Sequence, residues 1–206
     1  MKTTRLPGLH YWSVFQPDRR IDFNGFFVER EGANLLIDPM PLDGAQRAFV
    51  AERGGAPWIL ISNPHHLRDA GALAEHFGAQ VLAPETDREA FEAEGAGIHG
   101  WFASSKDLPG AVAAQVDVNW IEGGKSPKEA VFELTQLNAL VFGDAVRSHE
   151  SGQLRLLPDP MVSDKSKLAA SVKALGAKRP EAILLGDGDS LFNGAAETLH
   201  AFASGL

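Results

Sequence analysis

The chain of 206 residues contains no cysteine. That excludes disulfide staples, thiolate zinc sites and a cysteine nucleophile, and it fits a reducing compartment. Basic residues are in the minority: 19 Lys and Arg against 27 Asp and Glu give a net charge of −8. A general nucleic-acid binder, or a protein held on an anionic membrane surface, needs a basic face that this balance does not supply. No apolar run approaches the roughly 18 residues of a membrane-spanning helix. The opening MKTTRLPGLHYW also lacks the apolar stretch of a signal peptide. The expectation is a cytoplasmic protein with neither nucleic acid nor membrane as partner. Several motifs are missing too. No GxGxxG opens a helix and no GxSxG elbow is present, which argues against a dinucleotide enzyme and a serine hydrolase. The segment EGGKSPKE (122–129) contains GKS, but a P-loop needs glycine six positions before the lysine, and Asn119 stands there. A strand-like run precedes Lys125 and Pro127 follows it, so the helix that a P-loop opens is absent as well.

What is present is an ordinary globular composition, 44% apolar and 22% charged, in a chain long enough to bury a core without staples. No repeat or linker divides it, so residues 1–206 are expected to form a single domain. GFFVER (25–30) and ANLLID (33–38) read as two strands of a hairpin turning at Glu31-Gly32. Residues 42–53 carry a helical pattern. WILIS (58–62) is all apolar, as in a strand buried on both faces. AGALAEHFGAQ follows as a helix closed by Gly78. QVLAP (80–84) reads as a strand and 85–97 as a charged helix. In the second half HGWFAS (99–104), 112–123, EAVFEL (129–134) and NALVFGD (138–144) read as strands, the last two as a hairpin. Ser163 is a candidate cap for a helix over 164–175. AILLGDGDS (182–190) is a buried strand ending in a glycine-rich turn, and 194–203 is a last helix. Strands followed by helices twice over, with hairpins in each half, suit an α/β fold of two mixed sheets face to face with helices outside.

Three loops leave strands that read as buried: SNPHHLRDAG after WILI, GDAVR after ALVF, and GDGDS after AILL. Polar residues at such strand ends are where α/β folds place sites. Each loop taken singly also reads as a plain turn, because Asp and Gly are common turn residues.

In order and spacing these segments resemble the metallo-β-lactamase superfamily, over roughly residues 23–203. NGFFVEREGANLLIDPM is similar to that family's first hairpin, ending in an Asp-containing turn at Asp38. WILIS with its His-rich loop and AGALAEHFGAQVLAP is similar to its HxHxDH loop and following helix. GGKSPKEAVFEL with NALVFGDAV is similar to its GHTPG segment, hairpin and Gly-Asp turn. AILLGDGDS is similar to its last strand and Gly-His-Gly turn. The resemblance implies a four-layer αββα sandwich and a hydrolase that binds two metal ions, often zinc, through five histidines and two aspartates. At the ligand positions this chain departs. Aligned on the strand, Asn63 stands at the first His and His65 at the second. Aligned on the helix, through Gly71, His66 takes the second His position, Arg68 that of Asp and Asp69 that of the last His. Lys125 replaces the His of the GHTPG segment, Asp144 matches the bridging Asp, and Asp187 replaces the last His. Arginine stays protonated and does not ligate metals.

The main expectation is therefore a hydrolase-like protein whose two-metal site is degenerate, with no cofactor. Arg68 and Lys125 face Asp144 and Asp187 in a charge cluster, which His66 joins by hydrogen bonding and to which Asn63 and Arg147 are candidate additions. His66, Asp144 and Lys125 are the candidate catalytic residues if any activity remains. The alternative is a mononuclear hydrolase of an ester, thioester or phosphoester, holding one Zn, Fe or Mn ion through His66, Asp69, Asp144 and Asp187. The expected partners are a small anionic ligand and a second copy of the chain. His65 is expected to point to solvent. His10, His76, His99, His149 and His200 are read as surface or capping residues, and Trp12, Phe15 and Phe23 as core or pocket wall.

Overall fold

The structure, a computed structural model, describes residues 1–95 and 97–206. The chain starts with four strands, β1 (Lys2–Thr3), β2 (Leu9–Gln16), β3 (Ile21–Val28) and β4 (Leu35–Ile37), each antiparallel to the one before. Helix α1 (Gly44–Ala51), strand β5 (Trp58–Leu60), helix α2 (Ala70–Phe77), strand β6 (Gln80–Pro84), helix α3 (Arg88–Ala93) and strand β7 (Gly100–Phe102) follow. β4 to β7 are mutually parallel, so one sheet runs β1 to β7 in sequence order. The second half holds α4 (Gly110–Ala113), β8 (Val116–Glu122), β9 (Lys128–Leu134), β10 (Ala139–Phe142), β11 (Val146–Glu150), β12 (Gln153–Leu156), α5 (Lys165–Gly176), β13 (Ala182–Leu185) and α6 (Ala195–Ser204). Its sheet has the order β13-β10-β9-β8, with β10 and β13 parallel, and β11-β12 form a separate ribbon.

Alternation along the strands sorts side chains into three apolar layers, because successive residues of a strand point to opposite faces. Phe26 and Val28 of β3, Leu35 and Ile37 of β4, and Leu60 of β5 meet Phe132 and Leu134 of β9, Val141 of β10 and Leu184 of β13 between the sheets. The intervening Phe27, Leu36 and Ile59 pack outward against Val50 of α1, Leu73 of α2 and Phe91 of α3. On the other side Leu140, Phe142, Ile183 and Leu185 pack against Leu168 and Val172 of α5 and Leu199 of α6. The result is the αββα sandwich. No helix of the described residues is long and apolar enough to cross a membrane.

The local readings need four adjustments. The first hairpin is the β3–β4 pair, but β3 starts at Ile21 and pairs along its full length with β2. The charged stretch 85–97 is a single 3-10 turn followed by α3, and Gly95 at φ +67 stops it; residue 96 lies outside the described residues. The run 112–123 begins inside α4 and becomes strand only at Val116. Helix α5 is capped by Asp164, whose carboxylate accepts from the N–H groups of Ser166 and Lys167. The Ser163 N–H is instead bonded to Gly123 O.

Both sheets send the carboxyl ends of their parallel strands to one edge. There they are tied by the Asn24 N–H donating to Gly186 O at 2.8 Å and by Asn24 Nδ2 donating to Leu185 O and Gly188 O. The approach is close enough to require glycine. A Cβ at Gly186 would lie 2.5 Å from His66 Cε1, and one at Gly143 would lie 2.5 Å from Ser62 Oγ. Gly186→Ala is expected to destabilise the protein by about 1–3 kcal/mol through overpacking against the buried imidazole. Urea unfolding measures it, and an unchanged midpoint would show that His66 does not pack against this strand end.

Candidate functional site

Four strand ends build the site. Asp38 follows β4, the segment Ser62 to Arg68 follows β5, Asp144 follows β10 and Asp187 follows β13. Asp38 and Arg68 both have positive φ, 46° and 43°, a region that non-glycine residues seldom occupy outside functional or tightly held turns. Asp38 is fully buried. Its carboxylate accepts from the Ser62 N–H (2.8 Å), the Ser62 hydroxyl (2.6 Å) and His66 Nδ1 (2.7 Å). An ionised carboxylate only accepts, so Nδ1 donates and the ring is fixed with Nε2 towards Asp144 Oδ1, 3.8 Å away. Asn63 caps the turn Pro64–His66 by accepting from the His65 N–H at 2.9 Å.

Arg68 is the most heavily engaged cation. Nη1 donates to the carbonyls of Asn24 (2.7 Å) and Asp38 (3.2 Å), and Nη2 donates to Gly186 O and Asp187 Oδ1, both at 3.3 Å. Its guanidinium lies over Phe23, 5.1 Å from the ring centroid. Asp187, only 2% exposed at its side chain, faces Arg147 through its other oxygen at 3.3 Å. Arg147 also lies 3.6 Å from Asp144 Oδ1, while Lys125 Nζ stands 3.9 Å from Asp144 Oδ2. A cleft of about 190 Å³ opens above these groups, lined by Arg19, Phe23, His65, His66, Arg68, Lys125, Asp144 and Asp187.

The electrostatics follow from burial opposed by pairing. Burial and the Arg68 charge pull the His66 pKa down, but Asp38 and Asp144 outweigh them and push it up to about 9. Burial would raise the Asp144 carboxyl, yet His66, Lys125 and Arg147 hold it far below the usual carboxylate range. Behind the cleft, Glu129 of β9 accepts from the Asp144 and Ala145 N–H groups at 3.1 Å and from Asn63 Nδ2 at 3.4 Å. Burial and then the neighbouring Asp144 charge push Glu129 up to about 8, against the pull of the Ala145 N–H, His66 and the Asp144 N–H.

Of the residues singled out in the sequence, the structure brings together His66, Arg68, Lys125, Asp144, Arg147 and Asp187. Asn63 lies in the wall, committed to its cap and to Glu129. Asp69 is not at the cleft: it precedes α2, and burial raises its pKa while Arg47 opposes. His65 is exposed as expected, yet it forms part of the cleft rim. Phe15 is neither core nor wall, being 59% exposed, and His10 is buried, packed on Phe27 and Phe49 and bonded to Glu29. Sequence reasoning missed Asp38 as the His66 partner, and missed Glu129 and Arg19. Glu129 left one signal, a charged residue in the otherwise apolar stretch EAVF of a strand.

The metal ions that the resemblance implies do not fit these residues. Among the described residues no group of three His, Asp or Glu side chains converges as metal ligands would. His66 Nδ1 is taken by Asp38, its Nε2 lies 3.3 Å from Arg68 Nη2, and both Asp187 oxygens face guanidinium groups. The four-residue mononuclear set therefore lacks Asp69 and has Arg147 between Asp144 and Asp187.

The family described as the metallo-beta-lactamase superfamily matches residues 1–206. Among solved structures, the metallo-beta-lactamase from Pontibacter korlensis is similar at 14% identity and a TM-score of 0.73, over 99% of this chain and 98% of that one. FIM-1 from Pseudomonas aeruginosa in the mono-zinc form is 16% identical with a TM-score of 0.72, over 100% and 95% of the two chains. The metallo-beta-lactamase from Hirschia baltica is 16% identical with a TM-score of 0.70, over 95% and 91%. At such identities the likeness is one of fold. Among curated proteins none matches.

Two stability predictions follow from the pairing. Asp144→Ala leaves His66, Arg147 and Lys125 without their shared counter-charge and should cost about 3 kcal/mol or more; an unchanged melting temperature would refute the pairing. The pH dependence has a definite sign. His66 titrates near 9 when folded and 6.5 when unfolded, so its contribution is full below 6.5 and is lost as pH rises through 9. Glu129 acts in the same direction between its ordinary 4.5 and about 8. The Asp144 contribution is instead lost only in strong acid, as pH falls through its depressed value. Thermal unfolding at fixed ionic strength should show stability falling by about 3–6 kcal/mol between pH 6 and pH 9.5, roughly half from each group. A flat profile there would show that neither His66 nor Glu129 binds its proton more tightly in the folded chain.

Proposed function

The chain belongs to the metallo-beta-lactamase superfamily, and from that premise we propose that it is a hydrolase-like member in which a cluster of fixed charges replaces the two metal ions. Its cleft then serves as a binding site rather than as a metal-dependent hydrolase. The observation that carries this reading is the capture of Asp187 between Arg68 and Arg147, each 3.3 Å from one carboxylate oxygen. A guanidinium beside each ligand oxygen opposes a divalent ion strongly. Like unit charges 4 Å apart repel by roughly 4 kcal/mol at an effective dielectric of about 20, and a divalent ion doubles that.

The remaining groups are poorly set for hydrolysis on their own. A histidine with its pKa pushed up to about 9 already carries its proton at neutral pH, so it does not serve as a general base there. Asp144, held far below the usual range by its cations, is a weak base. Lys125 is the most exposed cation paired with Asp144 or Asp187, with a side chain 26% exposed against 8% for Arg68 and 10% for Arg147.

The test is elemental analysis of protein purified without chelator, joined to a screen of ester, thioester and phosphodiester hydrolysis with and without added Zn²⁺, Mn²⁺ or Fe²⁺. The expected result is well below one metal per chain and no metal-dependent turnover. About one tightly held equivalent that survives gel filtration would overturn the reading.

A further inference from the structure

We propose that the cleft binds, without a metal, a phosphoryl group that still carries a proton: inorganic hydrogen phosphate or the head of a phosphomonoester. This deepens the charge-cluster reading and rests on it. The first observation is a set of unused donors. Lys125 stands 3.9 Å from Asp144 Oδ2, beyond hydrogen-bond reach, and its ammonium donates to no other group among the described residues. Arg19 lies with its guanidinium 5.4 Å from the Phe23 ring centroid and its side chain likewise makes no hydrogen bond there. His65 lines the same cleft with its ring unbonded. Arg68, in contrast, has its donors taken by three carbonyls and Asp187.

The second observation is an orphaned acceptor. Asp144 Oδ2 is buried and has no hydrogen-bond partner among the described residues, although its carboxylate lines the cleft. Buried polar atoms without partners are rare and call for a reason. An ionised carboxylate can only accept, so a ligand that completes the site must bring a donor to Oδ2 and acceptors to Lys125, Arg19 and His65. Sulfate offers acceptors alone at neutral pH. Hydrogen phosphate offers one P–OH donor and further oxygens. Its hydroxyl set about 2.6 Å from Oδ2 and about 2.8 Å from Nζ forms the apex of a triangle across the 3.9 Å gap. The charge balance agrees: Arg68, Arg147, Lys125 and His66 face Asp38, Asp144 and Asp187, with Arg19 added at the rim. The space of about 190 Å³ admits a tetrahedral oxyanion and a short organic remainder.

The experiment is calorimetric titration of the chelator-treated full chain with sodium phosphate, phenyl phosphate and sodium sulfate at matched ionic strength and about pH 5.5, below the second pKa of about 6 so that both phosphates carry a P–OH. Phosphate or its ester should bind saturably, and sulfate at least about tenfold more weakly, because it leaves Oδ2 facing an acceptor. Tighter binding of phenyl phosphate identifies an ester as the ligand, and the reverse order identifies the free ion. Lys125→Ala, at a partly exposed position, should weaken phosphate about tenfold or more with the melting temperature retained. Asp144→Asn, if folded, should bring the two anions together, since an amide also donates. Equal affinity of the wild type for phosphate and sulfate, or an unaltered Lys125→Ala variant, overturns the proposal. No binding of any of the three to folded, metal-poor protein overturns it while leaving the charge-cluster reading intact. Binding that appears only on addition of Zn²⁺ overturns both.

Discussion

Three aspartates and a glutamate are buried at the edge where the two sheets meet, and the structure depends on how their charge is balanced. Asp38, Asp187 and Glu129 are almost wholly out of water, and Asp144 nearly so. Isolated buried carboxylates are costly by several kcal/mol each, so each must be paired, hydrogen-bonded or protonated. The chain uses all three means. Asp187 has two guanidinium groups, Asp144 is shared by three cations, Asp38 takes three hydrogen bonds, and Glu129 is pushed towards its protonated form. The same contacts join the sheets, because the partners come from different strand ends. Arg68 alone bonds to groups following or within β3, β4 and β13.

Much of this was legible in the sequence, for definable reasons. Short continuous apolar runs gave the buried strands β5, β9, β10 and β13, and Gly78, at φ +64, marked the end of α2. The facing of Arg68 with Asp187 and of Lys125 with Asp144 followed from reading substitutions at four distant positions together. What stayed hidden depends on three-dimensional register. Nothing in the turn LIDPM says that Asp38 reaches His66, 28 positions on. Glu129 drew no notice because a single charge does not reveal which face of the strand it occupies. Asp69 was misplaced for the opposite reason. It sits one residue from Arg68, but the backbone at Arg68 takes a positive φ and the two side chains part.

A guanidinium differs from a metal ion in what it asks of its surroundings. A divalent ion draws in any lone pairs around it, whereas Arg68 has planar donors that need acceptors in fixed directions. The carbonyls of Asn24, Asp38 and Gly186 supply them. That demand accounts for the strained turn at Asp38, while glycine at position 186 answers to the neighbouring imidazole, which a Cβ there would strike. The cluster is therefore a built arrangement with its own backbone requirements. It also leaves an asymmetry. Arg68 and Arg147 lie deep, with side chains 8% and 10% exposed, and serve the carboxylates, while Lys125 and Arg19 face the cleft with donors to spare. Structure and recognition are thus divided between different cations, so charge at the cleft mouth can change without loosening the join between the sheets.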